Sequence, residues 1–144
     1  MGMLDKHRRR ILKRYIVIYL ATLVAFVPID LLFLATVAKG LFASQVGDML
    51  GDIRPLPGIL FYLLYVVGIV VFVNGPMAVT WPSTLLYGAL FGLFCYATFE
   101  LTSLSILKHW TWPVAIVDMS WGAFVTALCA TIGLLIANRI APEL

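Results

Sequence analysis

The chain has 144 residues, 62% hydrophobic and 12% charged, with a mean hydropathy of +1.02. A soluble domain is about half apolar and a quarter charged, so this chain lacks the polar side chains to cover its own surface and reads as an integral membrane protein. The net charge of +3 excludes little by itself, but most of the basic residues sit in one block, LDKHRRRILKRY, directly before an apolar run, which is the pattern of a membrane anchor and not of a nucleic-acid arm.

That run, Tyr15 to Ala38, is too long for the apolar core of a signal peptide, contains Asp30, and is followed by no convincing A-x-A site. It is expected to remain as the first of four spanning helices, covering about 11–38, 58–79, 83–107 and 113–137. Residues 1–14 form a basic N-terminal segment, and 15–144 a single all-α, four-helix transmembrane domain. Pro28 lies inside the first span and leaves the Val24 carbonyl without its helical donor. The segment 38–57 is the one sizeable connection. In it Phe42, Val46, Met49, Leu50 and Ile53 recur at helical spacing, which fits either a short amphipathic helix on the membrane surface or an ordinary loop. PLPG (55–58) precedes the second span, NGP (74–76) and WPS (81–83) separate the second from the third, and TWP (111–113) opens the fourth with proline near the first helical position. Six basic residues precede the first span and Arg139 follows the fourth, so both termini are expected on the cytoplasmic side. Trp81, Trp110 and Trp112 fall at expected interfaces and read as belt anchors, His109 as a solvated loop residue, and Asn74 as the end of the second helix. Cys95 and Cys129 lie inside spans with no pairing spacing and read as free thiols.

Three acids stand inside the apolar runs: Asp30, Glu100 and Asp118. Topology places all three in the outer half of the membrane, about two turns from the interface at roughly 1.5 Å per residue. Gly88, Gly92, Tyr96 and Glu100 are spaced by four and share one face of the third span, as do Asp118, Gly122, Thr126, Cys129 and Gly133, approximately, on the fourth. Gly88 and Gly92 form a G-x-x-x-G, which admits a close helix neighbour and offers a surface for a homodimer. Each acid at a span centre opposes insertion by roughly 2.5–3.5 kcal/mol, less away from the centre. No basic residue lies in any span to pair with them, so they are expected to share protons or bind a cation. We take Asp30, Glu100 and Asp118 as candidate catalytic residues, and Tyr62, Tyr65, Tyr96, Thr98, Thr102 and Trp121 as the binding wall of a polar chamber. Tyr96 is the expected aromatic partner of Glu100, and Trp121 that of Asp118. A purely structural use, with Asp118 bonding the carbonyl freed by Pro28, is the alternative.

FYLLYVVGIVVFVNGPM (61–77), YGALFGLFCYATFELTSLSILKHW (87–110) and VDMSWG (117–122) together resemble a bacterial family of predicted membrane proteins, domain of unknown function 2177. Its specific marks are Y-A-T-[YF]-[DE]-L-T and D-x-x-W-G. Here Glu100 stands where aspartate is expected, Ser103 where asparagine is usual, and Phe33 where tryptophan usually follows Asp30. The resemblance implies a bacterial inner membrane protein in which Asp30, Glu100 and Asp118 are family marks, and it implies no activity. Three functions stay open. The chain is a small membrane enzyme or accessory subunit acting on a lipid or lipid-soluble compound, with the acids as general acid and base or as holders of a divalent cation. Otherwise it is a proton- or cation-coupled transporter, or a scaffold. The sequence contains no His-rich ligand set, nucleophile motif or nucleotide loop, and the cofactor and metal remain unassigned.

Overall fold

The computed structural model describes residues 2–75 and 80–142. Among them every regular element is helical: α1 (Gly2–Phe33), α2 (Lys39–Val46), α3 (Pro55–Gly68), α4 (Trp81–Ile106) and α5 (Trp112–Ile140). Four stretches, Gly2–Met49, Pro55–Phe72, Trp81–Ile106 and Trp112–Ile140, are long and apolar enough to cross a membrane. The expected end of the second span at Val79, and Pro76 of the NGP turn, lie outside the described residues.

The first span runs on where a connection was expected. α1 passes through a π-helical turn, Leu34–Ala38, into α2 and then a 3-10 turn, Gly47–Met49. This stretch of 48 residues is about 72 Å long as helix, more than twice the ~30 Å hydrocarbon thickness, so it is longer than one crossing needs. Neither of the two readings of this segment, a separate amphipathic helix or an ordinary loop, describes its first part: Phe42 is half-buried and Val46 buried on the continuing rod, while Met49, Leu50 and Ile53 are exposed. Buried positions step by four from Ile18 to Asp30, by three to Phe33, and by five across the π turn to Ala38. The π turn keeps the rod's later inward residues on the bundle side.

α4 and α5 pair closely because small residues face each other. A Cβ at Gly88 would press on the Ala127 backbone, one at Gly92 would collide with the Gly122 carbonyl oxygen, and one at Gly122 with the Tyr96 ring. In lipid there is no hydrophobic gain from bringing helices together, so this backbone-to-backbone packing is a main source of association. The face that could have joined a second copy through Gly88 and Gly92 is thus buried within the chain, and a homodimer would have to use another surface.

α5 also packs along α1, where Gly133 lies under Thr22 and the Ile18 carbonyl. At the far end of this pair Arg14 donates to the Ala141 carbonyl at 2.9 Å and to Asn138 Oδ1 at 2.8 Å. A guanidinium there satisfies carbonyls left open at the helix C-terminus and opposes the dipole. It also brings the two terminal helix ends to the same side of the bundle. α3 touches its neighbours through rings: Tyr65 lies 5.4 Å from Phe26, 5.6 Å from Phe91 and 6.1 Å from Tyr96.

Gly92→Ala should lower the melting temperature in detergent, read by circular dichroism, because the added methyl group meets backbone that cannot yield. Gly40→Ala, where a Cβ meets nothing within 4 Å, should leave melting unchanged or raise it through better helix propensity.

Candidate functional site

The antiparallel register of α4 and α5 decides where the acids meet. Going up α4 from Gly88 through Gly92 to Tyr96 runs down α5 from Ala127 to Gly122, and one further turn of each sets Glu100 against Asp118. Their carboxyls lie within hydrogen-bonding reach of each other, and Asp30 is near enough to act on Asp118 electrostatically. Glu100 is fully buried. Its Oε2 accepts from Trp110 Nε1 at 2.6 Å, while Oε1 is buried with no donor. Two ionised carboxylates offer each other only acceptors, so this oxygen gains a partner only if the pair holds a proton.

Asp30 is held differently. It is 4% exposed, and its two oxygens accept from Tyr62 Oη and Trp121 Nε1, each at 2.8 Å. One carboxyl therefore ties α1 to both α3 and α5. Phe33 stacks on Trp121 at 4.2 Å and 5°, which fixes the indole edge toward Asp30.

These groups edge a cleft of about 370 Å³ between α1, α3 and α4. Asp30, Asp118, Tyr62 and Tyr96 supply its polar lining; Leu34, Phe42, Phe61, Phe99 and the ring of Tyr65 supply its apolar walls. Glu100 lies behind Asp118, outside the lining. Leu34, Phe61 and Phe99 are also 44%, 40% and 57% exposed, so the cleft has an apolar rim facing outward from the bundle. Tyr65 Oη is paired with Thr126 Oγ1 at 2.8 Å, which leaves the Tyr65 ring, not its hydroxyl, as the wall.

Several sequence expectations change. Trp121 serves Asp30 rather than Asp118, and Glu100 finds Trp110 rather than Tyr96. Trp110 is not a belt anchor: it is half-buried, edge-on to Phe42 at 5.9 Å and to Phe99 at 5.8 Å. Trp81 and Trp112 are exposed as belt residues are. Thr98 and Thr102 are exposed and donate to carbonyls of their own helix, those of Phe94 and Thr98. Two residues along a helix turn the side chain by about 200°, so both threonines point away from the Glu100 face. Asn74 is buried at the end of the second span, with no side-chain partner among the described residues. His109 is exposed, 4.0 Å from Asp48. Cys95 and Cys129 are free. Among the described residues no group of three or more His, Cys, Asp or Glu side chains is placed together as metal ligands.

The family described as "Predicted membrane protein (DUF2177)" matches residues 15–135. The chain belongs to this family. The match takes in all three acids and all the expected wall residues. No curated protein and no solved structure matches the chain.

Tyr62→Phe and Trp121→Phe should each lower stability by about 1 kcal/mol, the usual worth of a side-chain hydrogen bond within a membrane bundle. Asp30→Ala should lower it further, because it strands both donors in an apolar setting. Denaturant titration of the purified variants in detergent reads the order.

Proposed function

We propose that this chain binds a lipid or lipid-soluble compound in the cleft between α1, α3 and α4, and serves as a small enzyme or accessory subunit acting on it. One observation carries the reading: Asp30 and Asp118 lie at the polar end of an aromatic-walled cavity whose rim is apolar and turned outward at the depth of the spans. A water-borne substrate has no use for a rim of Leu34, Phe61 and Phe99, whereas a bilayer-dissolved one enters past it without leaving apolar surroundings. The volume of about 370 Å³ is at the small end for ligand sites, which suits a single chain or one ring system rather than a whole two-chain lipid. Glu100 and Asp118, touching and without a basic partner, are arranged to exchange a proton with a bound group, which is what a general acid and base require. The basic N-terminal block supports placing both termini on the cytoplasmic face of a bacterial inner membrane, so the cleft belongs to the outer leaflet.

A scaffold reading is favoured by a different observation, the bonds from Asp30 to two other helices. The two readings divide on Asp118. Asparagine there donates to Glu100 and relieves the need for a proton, so Asp118→Asn should leave melting unchanged or raise it, as expected of a group held for function at some cost in stability. A fall as large as that of Asp30→Ala would make the acids glue.

Binding is tested with a photoactivatable sixteen-carbon alcohol in liposomes containing the protein. Label should concentrate on Phe61, Tyr62, Tyr96 and Phe99 and fall to the level of lipid-facing Leu86 and Phe94 when Gly58→Trp fills the cleft. Even labelling of all exposed apolar residues, unchanged by Gly58→Trp, would overturn the proposal.

A further inference from the structure

The basic start of α1 takes no part in the cleft. We propose that it is a binding surface for anionic phospholipids of the bilayer the chain crosses, with Arg10 and Lys13 as the side chains that hold the headgroup phosphate.

The basic block is helix and not a loose arm, because α1 is continuous from Gly2 to Phe33. Residues 2–13 are all exposed, and Arg14 is the first to be partly buried. Arg14 also fixes the level of this stretch, since it bonds the Ala141 carbonyl and Asn138 at the end of α5. α5 turns polar there, at Asn138 and Arg139, so this level is the edge of the hydrocarbon. At about 1.5 Å per residue, Lys13 and Arg10 stand about 2–6 Å beyond it and Lys6 about 12 Å. The headgroup layer is about 5–8 Å deep on each side, so Arg10 and Lys13 lie within it and Lys6 beyond. Exposed Ile11 and Leu12 interleave with these cations. That is the pattern of a segment in the interface, where apolar side chains reach toward the acyl chains and basic ones toward phosphate.

The charges of this stretch are largely unspent. Lys6, Arg8, Arg9, Arg10, Lys13 and Arg14 stand against one acid, Asp5. Arg9 is taken by Asp5 at 3.0 Å, and Arg14 by the end of α5. Among the described residues no carboxylate pairs with Lys6, Arg8, Arg10 or Lys13. Arg10 and Lys13 are three apart on the helix, so their side chains reach the same few ångströms of surface. The planar fork of Arg10 can take two phosphate oxygens, and Lys13 adds a mobile point charge. A zwitterionic headgroup brings its own cation to this surface and offsets the gain, whereas a phosphate without an amine does not. A nucleic acid would meet the same cations but gains nothing from Ile11 and Leu12 between them, so the membrane's own phosphates fit better. Asp30 lies about 24 Å further along α1 at the same rise, so the surface is independent of the cleft.

The test is native mass spectrometry of the full chain in nonionic detergent, titrated with phosphatidylglycerol or with phosphatidylcholine of the same acyl chains. A basic side chain near an anionic surface is worth about fivefold in binding, so the wild type should hold phosphatidylglycerol about twentyfold more tightly. Arg10→Gln with Lys13→Gln should bring phosphatidylglycerol down to the level of phosphatidylcholine. Both positions are exposed and glutamine is a good helix former, so circular dichroism should not change. Arg10→Lys with Lys13→Arg keeps both charges and should keep the preference. Lys39→Gln, which removes an exposed charge at the start of α2, should also keep it. Equal affinity of the wild type for the two lipids, or a preference that survives Arg10→Gln with Lys13→Gln, would overturn the proposal. A comparable loss in Lys39→Gln would overturn it too, because the preference would then follow net charge and not this surface. So would an RNA duplex that binds more tightly than phosphatidylglycerol and displaces it, which would give the surface to nucleic acid. None of these outcomes bears on the cleft, which the photoactivatable alcohol tests by itself.

Discussion

The contact on which the site depends is the crossing of α4 over α5 at Gly92 and Gly122. No side chain separates the two backbones there, and Tyr96 lies flat over the space where a Gly122 side chain would be. The crossing fixes the distance between the helices and, because they are antiparallel, also their register. Glu100 and Asp118 are 18 residues apart in sequence and meet because each lies one turn beyond the contact of Tyr96 with Gly122. A shift of one turn in either helix would separate the two acids. The contacts of Gly88 with Ala127, Gly92 with Gly122 and Gly122 with Tyr96 hold that register.

The three acids, alike in composition and depth, have separate physical roles. Asp30 is saturated by two donors from two helices and acts as a joint. Glu100 is half-saturated and entirely enclosed, and Asp118 is the member that reaches the cavity. Enclosure raises the stakes for any missing partner, since a buried polar atom cannot turn to water. The joint therefore keeps its form while the pair retains an unmet demand. A neighbouring pair of carboxyls in which one member is sealed and the other opens to a cavity is an asymmetric arrangement, and asymmetry is what separates acid from base in sites built from two carboxyls.

Much of this was legible in the sequence. Four spans followed from apolar run length, and the inward faces of α4 and α5 followed from small residues spaced by four. The meeting of Glu100 and Asp118 followed from those faces together with depth. What escaped was rotation and reach. Trp110 looks like an interface residue because depth is all that position in sequence conveys, and nothing there shows its indole folding back over the helix end to Glu100. Thr98 and Thr102 were misplaced although helical geometry alone sets them nearly opposite Glu100. The running-on of α1 into α2 was hidden for another reason: the five-residue step at Leu34–Ala38 breaks the periodicity by which one helix is recognised. π turns of this kind are frequent at functional sites, and this one begins at Leu34, on the cleft's rim.

The cleft itself follows from where small and large residues were placed. α5 meets α1 and α4 through small residues, Gly122 and Ala127 against α4 and Gly133 against α1. α3 meets its neighbours through Phe61, Tyr62 and Tyr65, whose rings stand 5.2–6.1 Å from one another and from Phe26, Phe91 and Tyr96. These are the spacings of ordinary packed aromatic pairs, and in lipid no hydrophobic force closes a gap left beside them. Toward the middle of the bundle Ile69 and Val73 join the core with Val125, Cys129 and Ala130 and seal it. Toward Gly58 no such residues follow, so α3 stands off and the space between it, α1 and α4 stays open at the level of the acids. The rings that join α3 to the bundle thus also wall the cavity beside the carboxyl pair, and Tyr62, bonded to Asp30, anchors α3 at the edge of that gap.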